Sequence, residues 1–324
     1  RKLVSLPVNE NAQAHYAAAA AELGLVSVCI WPHEYFTGVH TLSPMIASAH
    51  RGIEIGAYDR VAGAGVFGAA YWGIMDGGSL TDPTGKTPEA AKLGWQHNNH
   101  ENAPWTSSPN VTVTTPMDAN HYAAMASDNV RYVVNGRMVI TQVPTKCYGV
   151  YHKNSALPKM GPYDVIQVDM PGEEPADGKE LVVVVTGYIT DDIIKSLDKT
   201  GVATTVYVMS SLEPTPALEN ALKEKIANGA KLNCVVVDTS PRASSLGPAM
   251  NEMLHNMGSP ENLRVLYSTT RQTSIPYGVG EAAYVVPRDF NQNVLERYGM
   301  VNPNIVQKLE RKIITKAGYL QSNN

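Results

Sequence analysis

"RVAGAGVFGAAYWG" occupies residues 60–73 and contains Gly63-x-Gly65-x-x-Gly68, the spacing of a dinucleotide-binding fingerprint. In that fingerprint the glycines follow directly on a strand and open a helix, with an acidic residue about twenty positions on. Here the strand-like "GIEIG" ends at Gly56, well short of Gly63. The position about twenty residues beyond Gly63 is Pro83, with Asp82 beside it in a turn-rich stretch. The small and apolar residues throughout 59–75 instead predict a buried helix whose glycines allow a neighbour to pack closely. Just downstream, "TGKT" (84–87) imitates the end of a P-loop. The motif Gly-x-x-x-x-Gly-Lys would require a glycine at Leu80, and no apolar strand precedes it. Neither glycine motif names a nucleotide enzyme.

Working outward, the chain has 324 residues, 44% of them apolar and 17% charged, enough for two domains that each bury a core. A net charge of −4 with scattered basic residues argues against a primary nucleic-acid binder. The densest basic cluster (Lys308, Arg311, Lys312, Lys316) reads as one face of a terminal helix. Cys29, Cys147 and Cys234 are far apart and flanked by apolar residues, as buried free thiols of a reducing compartment would be. No apolar run is long enough to span a bilayer. Arg1 in place of methionine is read as the start of a processed or trimmed chain, and removal of an organellar presequence is one way to leave it.

The first half predicts a helix over 8–23 and strands at 25–31 ("LVSVCIW") and within "GIEIG". After the small-residue helix come a loop over 76–109 and a strand at 110–116. A helix follows over 117–128 with Asp118 in its first turn, then strands at "RYVVN" and "RMVIT". An acidic, proline-bearing stretch, "DMPGEEPADGKE" (169–180), reads as an interdomain linker. Beyond it, near-continuous β-branched runs at 181–187, 203–211, 231–240 and 263–269 alternate with helical segments, the pattern of a parallel sheet covered on both faces. "QHNNHENAPW" holds His97 and His100 beside Glu101, but its asparagines and proline favour a polar loop over a metal site. There is no Gly-x-Ser-x-Gly nucleophile elbow.

The order of these pieces resembles the β subunit of E1, the thiamine-diphosphate-dependent 2-oxo acid dehydrogenases of the transketolase superfamily. The resemblance rests on "GAYDRVAGAGVFGAAYWG", "GWQHNNHENAPWTSSPNVTVTTPMDA", "CVVVDTSPRASSLGPAMNEML" and "LRVLYSTTRQTSIPYG", in that order. It implies an α/β fold of two domains with mainly parallel sheets flanked by helices. Residues 1–170 would be a degenerate pyrimidine-binding-like domain and 178–324 a transketolase C-terminal-like domain. It places Asp59 where the family has a glutamate that hydrogen-bonds the cofactor's aminopyrimidine, and His97 at the family's active-site histidine. Asp is one methylene shorter than Glu, and a misplacement of about 1 Å can cost on the order of a hundredfold in rate. Between Gly73 and Gln96 the family inserts strands and an aromatic-rich helix, whereas residues 74–95 here contain no phenylalanine. The Gly-Asp-Gly motif that holds the diphosphate and its metal lies on the family's α subunit and is absent from this sequence.

The resemblance therefore implies a non-catalytic, structural E1β-like subunit with no cofactor or metal of its own. Asp59 and His97 would be inherited positions, and thiamine diphosphate would bind only if a partner chain completed the site. The expected partners are an E1α-like subunit and a larger assembly of the mitochondrial matrix, an accessory role on a mitochondrial ribosome or respiratory complex. Little direct nucleic-acid contact and no membrane span are expected. The alternative reading is an active E1β subunit, with Asp59 standing in for the glutamate.

Overall fold

The computed structural model describes residues 10–23, 25, 27–32, 64–70, 111–135, 137–144, 157–241, 246–258 and 260–270. Expectations for "GIEIG", the loop 76–109, Cys147 and the basic cluster near the end fall outside these residues. Two sheets organise them. The first has the order β1-β2-β4-β3, all parallel, from Ser27–Pro32 (β1), Ala64–Ala70 (β2), Val111–Thr114 (β3) and Met138–Pro144 (β4). Helix α1 (Glu10–Glu22) precedes β1, and α2 (Ala119–Val134) joins β3 to β4.

β2 overturns the expected helix over 59–75. Gly65 pairs with Val28 on one side and Val139 on the other, and Gly68 pairs with Trp31 and Gln142. Each glycine in a helix interior costs about 1 kcal/mol relative to alanine, so this segment has little intrinsic helical preference. A strand hydrogen-bonded on both edges settles the choice. The decoy fingerprint fails for the same reason: Gly65 and Gly68 lie inside a strand, whereas phosphate-binding glycines follow one. The "RYVVN" strand is also corrected, since Arg131–Val134 form the last turn of α2. The buried positions His121, Met125, Asn129 and Val133 recur every four residues, and burial of that stripe outweighs the local β preference of paired valines.

The second sheet has the order β5-β7-β6-β8-β9, from Val165–Met170 (β5), Glu180–Thr186 (β6), Thr204–Met209 (β7), Leu232–Pro241 (β8) and Leu263–Thr270 (β9). β6 to β9 are parallel and β5 is an antiparallel edge strand on β7. The acidic stretch 169–180 is thus no linker between units; it joins β5 to β6 within one sheet. The range 1–170 expected for the first domain includes β5, whose ladder belongs to the second sheet.

Helices α3 (Thr190–Asp198), α4 (Pro216–Ala227) and α5 (Leu246–Asn256) complete this half. Val183, Val185, Val206, Val208, Val235 and Val237 face α3 together with Met117 and Met125 from the α2 region. Val182, Val184, Tyr207 and Val236 face α4 and α5 through Leu218, Leu222, Met250 and Leu254. Both faces of β6 are closed, which is why its four valines are wholly buried and show no alternation. α4 starts where it does because Thr215 accepts from the Leu218 N–H and Pro216 occupies the first turn.

Gly172 is fixed by close approach. A Cβ there would stand 2.4 Å from the Gly201 carbonyl oxygen and 2.6 Å from the Ala203 nitrogen. The adjacent Glu173 exchanges hydrogen bonds with the same backbone, from its N–H to Gly201 O and from the Ala203 N–H to its own carbonyl, each 2.8 Å. Gly172→Ala is expected to lower the unfolding free energy by about 2 kcal/mol or more, read as a lower urea midpoint. Gly178→Ala, where a Cβ has open space around it but φ is +67°, should cost only about 1–2 kcal/mol.

Candidate functional site

The two sheets meet at the carboxyl ends of β3 and β7. The Thr115 N–H donates to Ser210 O at 2.9 Å, the Leu212 N–H donates to Val113 O at 3.2 Å, and Thr114 bridges Ser211 antiparallel. The outer edge of β3 is thus paired with the chain that leaves β7. Gly187, at the end of β6, turns with φ +69° beside Thr115.

His121 sits in this junction, with no exposed surface. α2 positions it: the Asp118 carboxylate caps the helix by accepting from the His121 backbone N–H at 2.8 Å. Its Nδ1 accepts from the Met117 N–H at 3.2 Å. Its Nε2 lies 3.0 Å from Ser210 Oγ, whose own proton is donated to Asp164 O at 2.6 Å. Ser210 must therefore accept from Nε2–H, and Nδ1 must be bare to accept from Met117. Both ends of the network require the same neutral tautomer. Burial lowers the imidazole pKa to about 4, against the raising pull of Asp118.

A perturbed histidine at the carboxyl edge of a parallel sheet invites a catalytic reading. The geometry answers it: both ring nitrogens are engaged by protein groups, so the imidazole can take up no proton without breaking the Met117 bond. It acts as a cross-link between the two sheets. Behind it, Thr114 Oγ1 donates to Thr141 Oγ1 at 2.9 Å and Asn129 Nδ2 to the same oxygen at 3.3 Å, tying α2, β3 and β4 together.

A second polar group flanks the junction. Arg137 Nη1 donates to Tyr163 Oη at 3.0 Å, Thr112 Oγ1 lies 3.1 Å from the same oxygen, and the guanidinium sits 5.2 Å from the centre of the Tyr132 ring. Burial raises the Tyr163 phenol and the Glu213 carboxyl above their ordinary values; Tyr163 and Arg137 pull Glu213 back down. These residues too come from both sheets: Thr112 on β3, Tyr163 before β5, Glu213 after β7. Cys234 is wholly buried and its thiol is pushed up to about 12, so it is inert, as its apolar flanks predict.

Asp59 and His97, the two site residues that the family resemblance supplied, lie outside the described residues, as do Gly63 and His100. No group of three or more His, Cys, Asp or Glu side chains that would hold a metal occurs among the described residues. No helix among them is long and apolar enough to cross a membrane. The sequence reading missed His121 and Ser210. The only signal for the first was its place four residues before Met125 on the buried stripe of α2; Ser210 carried none.

No family model and no curated protein matches the chain in sequence. Among solved structures it is similar to a split-gene transketolase described as an inactive β4 tetramer. The TM-score is 0.54 and the identity 16%, over 94% of this chain and 81% of that one. At that identity the likeness is one of fold: the chain has a transketolase-like α/β architecture, with mainly parallel sheets flanked by helices.

The His121 cross-link sets a pH dependence. Unfolded, the imidazole titrates near 6.5; folded, near 4. The unfolded chain binds more protons between those values, so the stabilisation is fully present above pH 6.5 and is lost as pH falls toward 4, about 3 kcal/mol in all. The His121 contribution should therefore lower the urea midpoint between pH 7 and pH 5. His121→Gln should be less stable at pH 7 and lose that slope.

Proposed function

We propose that this chain is an E1β-like, transketolase-type subunit that has kept the fold as building material and performs no thiamine chemistry on its own. The observation that carries the reading is Asp59 where the resemblance calls for the longer glutamate, in a chain whose fold is transketolase-like. Gly-Asp-Gly, which the family carries on its α subunit, is absent here, so the cofactor's diphosphate and metal would need a partner chain to hold them. The lack of an aromatic-rich insert between Gly73 and Gln96 points the same way. So does the junction: among the described residues the histidine held between the sheets, His121, is committed to structure, with neither nitrogen free for proton transfer. The solved neighbour, a split-gene chain described as an inactive tetramer, gives a precedent for such a half-enzyme assembling without activity.

On this reading the chain pairs with an E1α-like partner inside a larger assembly of the mitochondrial matrix, as an accessory protein of a ribosome or respiratory complex. Its mild negative charge suits protein contacts better than RNA. The native protein, isolated gently and examined by mass spectrometry with a parallel assay for bound thiamine diphosphate, is expected to copurify with such an assembly and carry no cofactor. Copurification with a catalytic E1α and a dihydrolipoyl acyltransferase core, with thiamine diphosphate at one per chain, would overturn the reading and make Asp59 the relay residue.

A further inference from the structure

At the amino ends of the parallel strands of the second sheet, opposite the edge that carries Ser210, two connected hollows open. The smaller, about 280 Å³, is lined by Lys179, Lys231, Leu232, Glu261, Asn262 and Arg264. The larger, about 620 Å³, shares Lys179 and Lys231 and extends along Gly178, Thr204, Thr205 and Gly229. Three cations against one carboxylate make the smaller hollow electropositive.

Lys159, Lys195, Lys223 and Lys225 each pair with a carboxylate. Lys179 and Lys231 have no such partner among the described residues. The larger hollow is also lined by Asp169, Glu174 and Glu180; Glu180 pairs with Lys225 at 2.9 Å and Asp169 accepts from the Gln167 amide at 3.0 Å, so the anion is assigned to the smaller hollow.

The rim is also held in place. Asn233, wholly buried at the base of β8, donates to Asp177 Oδ2 at 2.7 Å, and Asp177 Oδ1 accepts from the Lys179 N–H at 3.2 Å. A buried amide in an otherwise apolar strand thus fixes the loop that presents Lys179. The Glu180 N–H donates to Lys231 O at 2.8 Å, setting the two lysine-bearing segments side by side.

We infer that the smaller hollow is a binding site for a small oxyanion, a phosphate or the phosphate group of a metabolite-sized ester, held between Lys179 and Lys231. The adjoining groove receives the organic body of an ester. Ammonium groups with no carboxylate partner among the described residues gain charge-assisted hydrogen bonds to such a ligand, and the backbone that presents them is already held in place. The site stands independently of the reading proposed above.

Calorimetric titration of the full chain with inorganic pyrophosphate at low ionic strength tests it, with inorganic phosphate and glycerol phosphate as separate arms. Saturable one-to-one binding is expected, weakened about tenfold by Lys231→Gln and by Lys179→Gln and unchanged by Lys195→Gln on α3. An unaltered urea midpoint in each variant separates loss of the site from loss of fold. Tighter binding of the ester than of phosphate identifies the groove as part of the site; the reverse identifies the free anion as ligand. Absence of saturable binding in every arm, or binding that neither Lys179→Gln nor Lys231→Gln weakens, would overturn the assignment.

Discussion

The arrangement of the described halves rests on the pairing of the β3 edge with the three residues that leave β7. Two peptide hydrogen bonds, Thr115 to Ser210 and Leu212 to Val113, make the first sheet continuous with the second. The neutral imidazole of His121 then braces the same point from the side. Everything α2 does follows from this position. It carries Met117 and Met125 into the core of the second sheet while Asn129 bonds to Thr141 on β4 of the first. A helix shared between two sheets leaves them little room to move against each other.

This arrangement bears on chemistry. In open α/β sheets the carboxyl ends of the strands are where ligands bind. Here the carboxyl ends of β3 and β7 are filled by backbone pairing and by His121. Polar residues of this kind read as catalytic when only their types and shifted pKa values are considered. Their hydrogen-bond partners show otherwise: Ser210 hands its proton to a main-chain carbonyl, so it is no nucleophile awaiting a base. At the other end of the second sheet Lys179 and Lys231 pair with no carboxylate among the described residues.

The second half was legible in the sequence because its strands are nearly pure β-branched runs separated by capped helices. Residues 181–185 admit one reading, a strand buried on both faces, and β6 is that strand. The first half was less legible, for two physical reasons. The glycine- and alanine-rich 59–75 stretch has no side-chain contrast to set a period of two against one of 3.6, so the partners on either side of β2 decide its state. Val133 and Val134 favour strands locally, yet the stripe from His121 to Val133 binds them to a helix. β5 escaped notice because its last residues, Asp169 and Met170, run into an acidic, proline-bearing stretch that resembles a linker. The polar junction could not be read at all, since His121 and Ser210 are far apart in the chain and only the pairing of β3 with 210–212 brings them together.

Val111–Thr114 is a short run of alternating valine and threonine, buried throughout, at the outside of its sheet. Such an edge, if bare, is a template to which another extended chain can add by main-chain hydrogen bonds alone. In this protein residues 210–212 take that place, so the second half supplies a built-in partner strand to the first. The imidazole that braces the contact therefore also guards against association of the wrong kind. Anything that prises the halves apart would uncover not only apolar surface but a row of unpaired amides and carbonyls ready to join with a neighbour.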